Sequence, residues 1–332
     1  MDLFGEPDIV KQDTLATPDT AATAPPADLF THPRFMPFCM GHDDTEQQLL
    51  NWHQSGRMPH GIIFAGAKGI GKATLAYRLA RFLFKHGTND PNQNALFDAP
   101  TDYAAQSLDI PADDLVFRRV ASGGHPDLLT IERVYDATKN KEAETLSVAE
   151  LRKVEPFLRK TASEGGWRVV IIDDADTMNR NAQNALLKIL EEPPANTVLI
   201  LIAHRAGALI PTIRSRTRTL HFQPLSPTVM EELLSQKGHI LAPDQNRMLA
   251  ARAEGSFGTA LKILEEGGLE TLDTLTSLLT SIPDFDWVAI HGLADTLARP
   301  GAEKDYQAFT DTLLWLYKTL TFAKARGQIA PP

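Results

Sequence analysis

Three short stretches carry residue types that could do chemistry. The first is GAKGIGKAT, from Gly66 to Thr74. It follows the spacing G-x-x-x-x-G-K-[ST], in which glycines let backbone N–H groups converge on phosphate oxygens at a helix N-terminus. Gly66, Gly71 and Lys72 fall in place, with Gly69 between them. Lys72 would reach the β and γ phosphates of a nucleotide. The next position normally supplies a hydroxyl that holds Mg²⁺, and here it is Ala73. Thr74 comes one residue late, about 100° further round a helix. The loop reads as a nucleotide site or as a structural relic of one.

The second stretch is VVIIDDAD, residues 169–176. Its apolar residues bury a strand, and Asp173 at the strand end can hold Mg²⁺ directly or through water. The following position often carries a Glu that polarises an attacking water. Here it is Asp174, one methylene shorter, and a displacement of about 1 Å can cost about 100-fold in rate. Two acids capping a helix is the plainer alternative. The third stretch is IRSRTR, residues 213–218, which places Arg214, Arg216 and Arg218 near the end of a strand. An arginine there can reach a γ-phosphate on a neighbouring subunit. Taken alone, a short Arg-rich stretch is usually a solvated surface.

Positioning these residues needs a sheet. GIIFA (61–65), DLLTI (127–131), RVVII (168–172), TVLILIA (197–203) and RTLHF (218–222) are apolar runs that read as strands, and helix-like segments separate them. Strands with helical crossovers give a parallel sheet covered on both faces. The glycine-rich loop follows the first strand and opens a helix, and ligands sit at the carboxyl ends of such strands. Residues 147–162 predict one helix, with Ser147 and Glu150 as a capping box. Residues 179–192 predict another, with Ala182, Leu186 and Ile189 on one face, stopped by Pro193-Pro194. Residues 87–126 interrupt the rhythm and read as a polar surface insertion, with His86 and His125 solvated or hydrogen-bonded. After Pro224 the pattern is helical only, with helices near 227–236, 243–254 and 257–266 and amphipathic helices over 270–325. No short internal repeat is present. Residues 1–30, rich in Ala, Thr, Pro and Asp, read as a disordered tail in which DLFG could be a docking peptide.

Composition narrows the function. The chain of 332 residues has 43% hydrophobic and 23% charged residues, ordinary for a globular protein. Its net charge of −9 excludes a protein that coats nucleic acid by bulk electrostatics. No apolar run reaches the roughly 20 residues of a membrane helix, and no signal peptide opens the chain. The one cysteine, Cys39, excludes an internal disulfide or a cysteine-rich zinc site and suits a reducing cytoplasm.

Together HGIIFAGAKGIGKATLA, GHPDLL, VVIIDDADTMNRNAQNALLKILEEPP and IPTIRSRTRTLHF closely resemble the clamp-loader AAA+ ATPases, and within them the delta-prime subunits of bacterial DNA polymerase III. The resemblance covers about residues 35–265. It implies an α/β AAA+ P-loop domain with a five-stranded parallel sheet, followed by all-α lid and collar domains. The expected boundaries are 1–30 for the tail, 31–222 for the P-loop domain with its 87–126 insertion, 223–268 for the lid and 269–332 for the collar. The family's S-R-C motif falls on Ser215, Arg216 and Thr217, which makes Arg216 an arginine finger acting in trans. The lid arginine of the motor subunits falls on Gly258, and the γ-phosphate sensor falls on His204. Zinc, bound by cysteines in the insertion of many relatives, is not expected.

Ala73, Asp174 and Gly258 thus alter three parts of a cis-acting ATPase, while the part that helps a neighbour is kept. The resemblance implies a non-motor subunit of a DNA-directed DNA polymerase holoenzyme with weak or absent ATPase of its own. Its loop would hold ATP or ADP with Mg²⁺, if it holds nucleotide. Its partners would be motor subunits and a delta subunit in a heteropentameric ring, the sliding clamp, and primed DNA, touched through Arg and Lys side chains near 152–160 or not at all. The alternatives are a motor subunit hydrolysing its own ATP, a scaffold with no trans role, and a small-molecule kinase. The last needs an Arg-rich lid, whereas 223–268 holds only Arg247 and Arg252.

Overall fold

The computed structural model describes residues 32–87, 105–133, 135–136, 141–163, 166–280, 284 and 286–327. The N-terminal tail with its DLFG, and residues 88–104, lie outside the described residues.

Seven strands follow in chain order: β1 (Gly61–Ala65), β2 (Leu128–Ile131), β3 (Tyr135–Asp136), β4 (Lys141–Glu142), β5 (Arg168–Ile172), β6 (Thr197–Ala203) and β7 (Arg218–His221). β3 and β4 form a small antiparallel hairpin that the sequence pattern did not announce. The other five make the expected sheet, in the order β2-β5-β6-β1-β7, with every pairing parallel. β1, β5 and β6 are buried along their whole length, which is why they read as unbroken apolar runs rather than as alternating ones.

The strands still alternate between two cores. Ile62, Phe64, Val169, Ile171, Val198, Ile200 and Ile202 face one side, with Leu75, Leu79, Phe82 and Leu83 of the helix that follows the glycine-rich loop. Ile63, Val170, Ile172, Leu199 and Leu201 face the other, with Leu186, Ile189 and Leu190. The first core runs without a break into the helical region through Met230, Leu234, Leu249, Ala260 and Ile263.

The helices of the sheet domain are α1 (Asp43–Gln54), α2 (Lys72–His86), α3 (Leu115–Ala121), α4 (Val148–Leu151), α5 (Val154–Leu158), α6 (Arg180–Ala185), α7 (Leu187–Glu191) and α8 (Pro211–Arg214). Three departures from expectation have physical causes. The helix expected over 147–162 is split into α4 and α5. Pro156 has no N–H for the carbonyl of Arg152, and its ring would strike that carbonyl. Ser147 caps α4 by accepting from Ala149 N–H, but Glu150 pairs with Lys153 at 2.7 Å instead of closing a capping box. The helix expected over 179–192 tightens at Leu186, whose N–H bonds Gln183 three residues back at 3.1 Å. Ala182, Leu186 and Ile189 are buried as expected. The described part of the polar insertion is no surface loop. Leu108, Phe117 and Val120 are buried, and His125 is enclosed against the Phe84 ring.

Beyond the sheet come α9 (Pro227–Gln236), α10 (Pro243–Ala253), α11 (Phe257–Glu265), α12 (Gly268–Thr280), α13 (Trp287–Leu297) and α14 (Glu303–Ala325). Arg252 of α10 ties these helices together. It donates to Gly268 O at 2.8 Å and to the Oγ1 of buried Thr312 at 2.7 Å. Among the described residues no helix is long and apolar enough to cross a membrane.

Ile200, at the centre of β6, is fully buried. Ile200→Ala removes its contacts and leaves a cavity, so it should cost about 2–5 kcal/mol. Urea unfolding should show a lower midpoint with an unchanged slope.

Candidate functional site

The glycine-rich loop joins β1 to α2. Gly69 and Gly71 have φ of 75° and 102°, left-handed values that a side chain resists. Gly71 stands at the N-terminus of α2, a 15-residue helix whose first N–H groups and dipole favour an anion. His42 holds the loop from behind, with Nε2 2.6 Å from Ile70 O. Lys72 folds over the loop. Its Nζ donates to Gly66 O at 2.8 Å and to Ala67 O, and it lies 3.0 Å from His204 Nδ1. Burial pulls the Lys72 ammonium down to about 8, against the opposing pull of Asp173, Asp176 and Asp174. Ala73 and Thr74 both border the cavity in front of the loop.

The acids stand at the end of β5. Asp173 accepts the Asp174 N–H at 2.8 Å, and burial, then the Asp174 charge, raises its pKa. Asp174 has the left-handed backbone, φ 50°. Its carboxylate accepts from Arg133 Nε at 2.5 Å and from His204 Nε2. The His204 hydrogen bond is the chief cause that lowers its pKa to about 2. Asp176, also buried, accepts the N–H groups of His204 and Arg205 at 3.0 and 3.2 Å and so fixes the end of β6.

Strand order explains this meeting. β6 lies between β1 and β5, so the residue after it falls between the loop lysine and the strand-end acids. The partners select one tautomer of His204: Nδ1 accepts from the Lys72 ammonium and Nε2–H donates to Asp174. Lys72, His204, Asp174 and Arg133 form one chain of alternating donors and acceptors.

This donor set does not fit the expected Mg²⁺. Position 73 has no hydroxyl, Asp174 is already paired twice, and Asp173 is half-buried with its charged form disfavoured. Among the described residues no group of three or more His, Cys, Asp or Glu side chains converges to hold a metal.

The helical region touches the loop through its backbone. Gly258 N–H donates to Gly69 O at 3.0 Å, and Ser256 Oγ donates to Lys68 O at 2.7 Å while capping α11. A Cβ on Gly258 would lie 3.1 Å from Gly69 Cα, and a Cβ on Gly69 only 2.5 Å from Ser256 Oγ. Two glycines are needed for this approach. Loop and α11 together enclose a cavity of about 690 Å³, within the range that small-molecule sites occupy. Its lining combines apolar residues, among them Met36, Phe38, Leu225 and Phe257, with the cations Lys68, Lys72, Arg133 and Lys262 and the acids Glu132, Asp173 and Asp174.

Residues 41–226 match the family model described as DNA polymerase III, delta subunit. That span is more than half of the 332 residues. The chain belongs to this family. It is 31% identical over 203 residues to DNA polymerase III subunit delta' of Bacillus subtilis, covering 61% of this chain and 53% of that one. It is 30% identical over 247 residues to the subunit delta' of Escherichia coli, covering 74% and 66%. With that of Pseudomonas aeruginosa it shares 37% over 174 residues, covering 51% and 45%. The chain spans about half to two thirds of the length of these curated relatives.

In this DNA polymerase III delta family member the remaining sequence candidate, Arg216, is not in the cavity. It lies just before β7, exposed, beyond α8. Its guanidinium donates to Thr212 O at 3.1 Å and pairs with Glu191 at 3.0 Å. Buried Gln183 holds the segment that enters α8, donating to Met178 O and Ala208 O and accepting the Ile210 N–H at 2.7 Å. Arg214 and Arg218 are exposed beside it. Lys153 and Arg159, in the segment considered for DNA contact, pair with Glu150 and Glu155 of their own helices.

Sequence reasoning gave no role to Arg133, Asp176, Gln183 or Ser256. Asp176 had a signal, a third acid in DDAD, and so did Ser256, an N-cap residue before a helix. Arg133 had none, because only the β2–β5 pairing brings it to Asp174.

The lowered pKa of Asp174 has a definite sign. A carboxylate with a folded value near 2 and an ordinary value of 3.8 adds stability above the ordinary value and loses it as pH falls towards 2. The stability lead of the native chain over Asp174→Asn should therefore be full near pH 5 and shrink between about pH 4 and 2. Denaturant titrations across that range read the difference. A lead independent of pH would remove the ion-pair account.

Proposed function

We propose that this chain is a delta-prime-like subunit of a sliding-clamp loader, acting in trans on a neighbour's ATP through Arg216 and hydrolysing little or none itself. The observation that carries this reading is the contrast between two places. At the loop, the catalytic acid position is tied up by Arg133 and His204, and position 73 lacks its hydroxyl. At the sheet edge, Arg216 is exposed, just beyond α8, whose entry at Ile210 is held by a buried glutamine. An arginine presented in this way stabilises charge developing on a phosphoryl group bound elsewhere.

Membership of the DNA polymerase III delta family and likeness to subunits named delta' support the assignment. A further relative, 26% identical over 257 residues, is the DNA polymerase III subunit tau of Escherichia coli. Partners on this reading are ATP-hydrolysing motor subunits and a delta subunit in a pentameric ring in the cytoplasm, with the clamp and primed DNA as its targets. Among the described residues, α13 and α14 leave Trp287, Val288, Leu314, Tyr317 and Phe322 more than half exposed, which suits a collar that packs against neighbours. The cavity reads as a nucleotide pocket with apolar and charged residues in its lining. A motor role would need a hydroxyl at position 73 and an unpaired carboxylate at position 174, where this chain has Ala73 and a twice-paired Asp174.

Two outcomes test the proposal. In a reconstituted ring, Arg216→Ala should lower ATP turnover by about tenfold or more without changing ring assembly. Turnover and clamp loading equal to the native ring would leave the trans role without support. Leu314→Ser with Tyr317→Ser should leave this chain folded by circular dichroism and reduce the ring fraction in size-exclusion chromatography. An undiminished ring would remove α14 from the interface.

A further inference from the structure

We propose that Glu191 is a positioning residue for Arg216, holding the guanidinium where a phosphoryl group on a neighbouring subunit can take it. The proposal rests on the trans role of Arg216 given above and names the side chain that orients it. Arg216 is a long side chain on the exposed segment between α8 and β7. Untethered, such a side chain samples many rotamers, and ordering it for each encounter costs entropy. Its Nη1 donates to Thr212 O at 3.1 Å and to Ser215 Oγ at 3.4 Å, both within four residues of it. Its Nη2 lies 3.0 Å from Glu191 Oε1. Among the described residues, Glu191 is the partner that Arg216 draws from another element.

That carboxylate has a fixed base. Glu191 ends α7, whose Ile189 and Leu190 are buried in the second core of the sheet. Lys188, one turn earlier, pairs with Glu155 of α5 at 2.8 Å. A Cβ on Gly61, at the start of β1, would lie 2.9 Å from Leu190 Cδ2 and 2.9 Å from Thr217 Cγ2. The residue before Glu191 and the residue after Arg216 therefore close over one glycine, so the core sets the spacing of the pair. Arg216 and Glu191 are 37% and 50% exposed. A pair that open to water is weak, so Glu191 aims the guanidinium without withholding it from a phosphate. The guanidinium also carries more N–H donors than these contacts use.

Steady-state ATP turnover of the reconstituted ring, with substitutions in this chain alone, tests the proposal. Glu191→Ala should lower kcat by about threefold to fivefold and leave KM for ATP unchanged, because the neighbour binds the nucleotide. Glu191→Gln keeps an oxygen that can accept from the guanidinium and should stay within about 1.5-fold of native turnover. In a ring already carrying Arg216→Ala, adding Glu191→Ala should lower turnover no further. Size-exclusion chromatography, with the same ring fraction expected for every variant, separates turnover from assembly. Native turnover with Glu191→Ala, in a ring that Arg216→Ala impairs, overturns the positioning role and leaves the trans role standing. An equal loss from Glu191→Ala with and without Arg216 also overturns it, since Glu191 then acts elsewhere. If Arg216→Ala has no effect, both fall together.

Discussion

His204 is bonded on both sides, to the ammonium of Lys72 and to the carboxylate of Asp174, and the rest of the site is arranged around that ring. The constraint comes from the sheet. Only an order that places β6 between β1 and β5 brings the residue after β6 between the loop and the acids. Buried Asp176 holds the ring's own backbone N–H, so the imidazole is positioned by the strand end and not by chance packing. Buried polar groups are costly unless paired, and here each member of the chain satisfies the next. The result is a phosphate loop whose lysine and acid already serve one another.

The same logic extends to α11 and to Arg216. Where a motor would place an arginine, this chain has Gly258, which lets a helix N-terminus hydrogen-bond the loop backbone. The loop is thereby tied to both the sheet and the helical region. Arg81, buried under the N-terminal segment, donates to Met36 O at 2.6 Å and secures the apolar wall of the same cavity. Arg216, by contrast, has as partners among the described residues a backbone carbonyl, a serine hydroxyl and one exposed carboxylate. Exposed ion pairs of that sort are weak, about 0–1 kcal/mol, so the guanidinium is free to exchange partners.

Much of the fold was legible because buried parallel strands are unbroken apolar runs, as in RVVII and TVLILIA. The loop was legible because its glycines and lysine have fixed spacing. Helix continuity was less so: Pro156 breaks a segment whose apolar pattern runs straight through it. The part of the insertion carrying Phe117 and Val120 looked polar because its few apolar residues are irregularly spaced, yet Leu108, Ile110, Phe117 and Val120 among them are buried. The site's pairings were the least legible. Asp174 looked like a shortened catalytic acid, and nothing nearby in the chain reveals Arg133, 41 residues away, as its partner. His204 follows the end of β6, and its double bonding depends on strand order, which no local pattern encodes.

On the proposed function, this chain assists a neighbour's hydrolysis without hydrolysing ATP itself. The most direct measurement is steady-state ATP turnover of the assembled ring in which only this chain carries Lys72→Ala. The account predicts turnover equal to that of the native ring, because Lys72 serves no hydrolysis of its own. A loss approaching that caused by Arg216→Ala would contradict it.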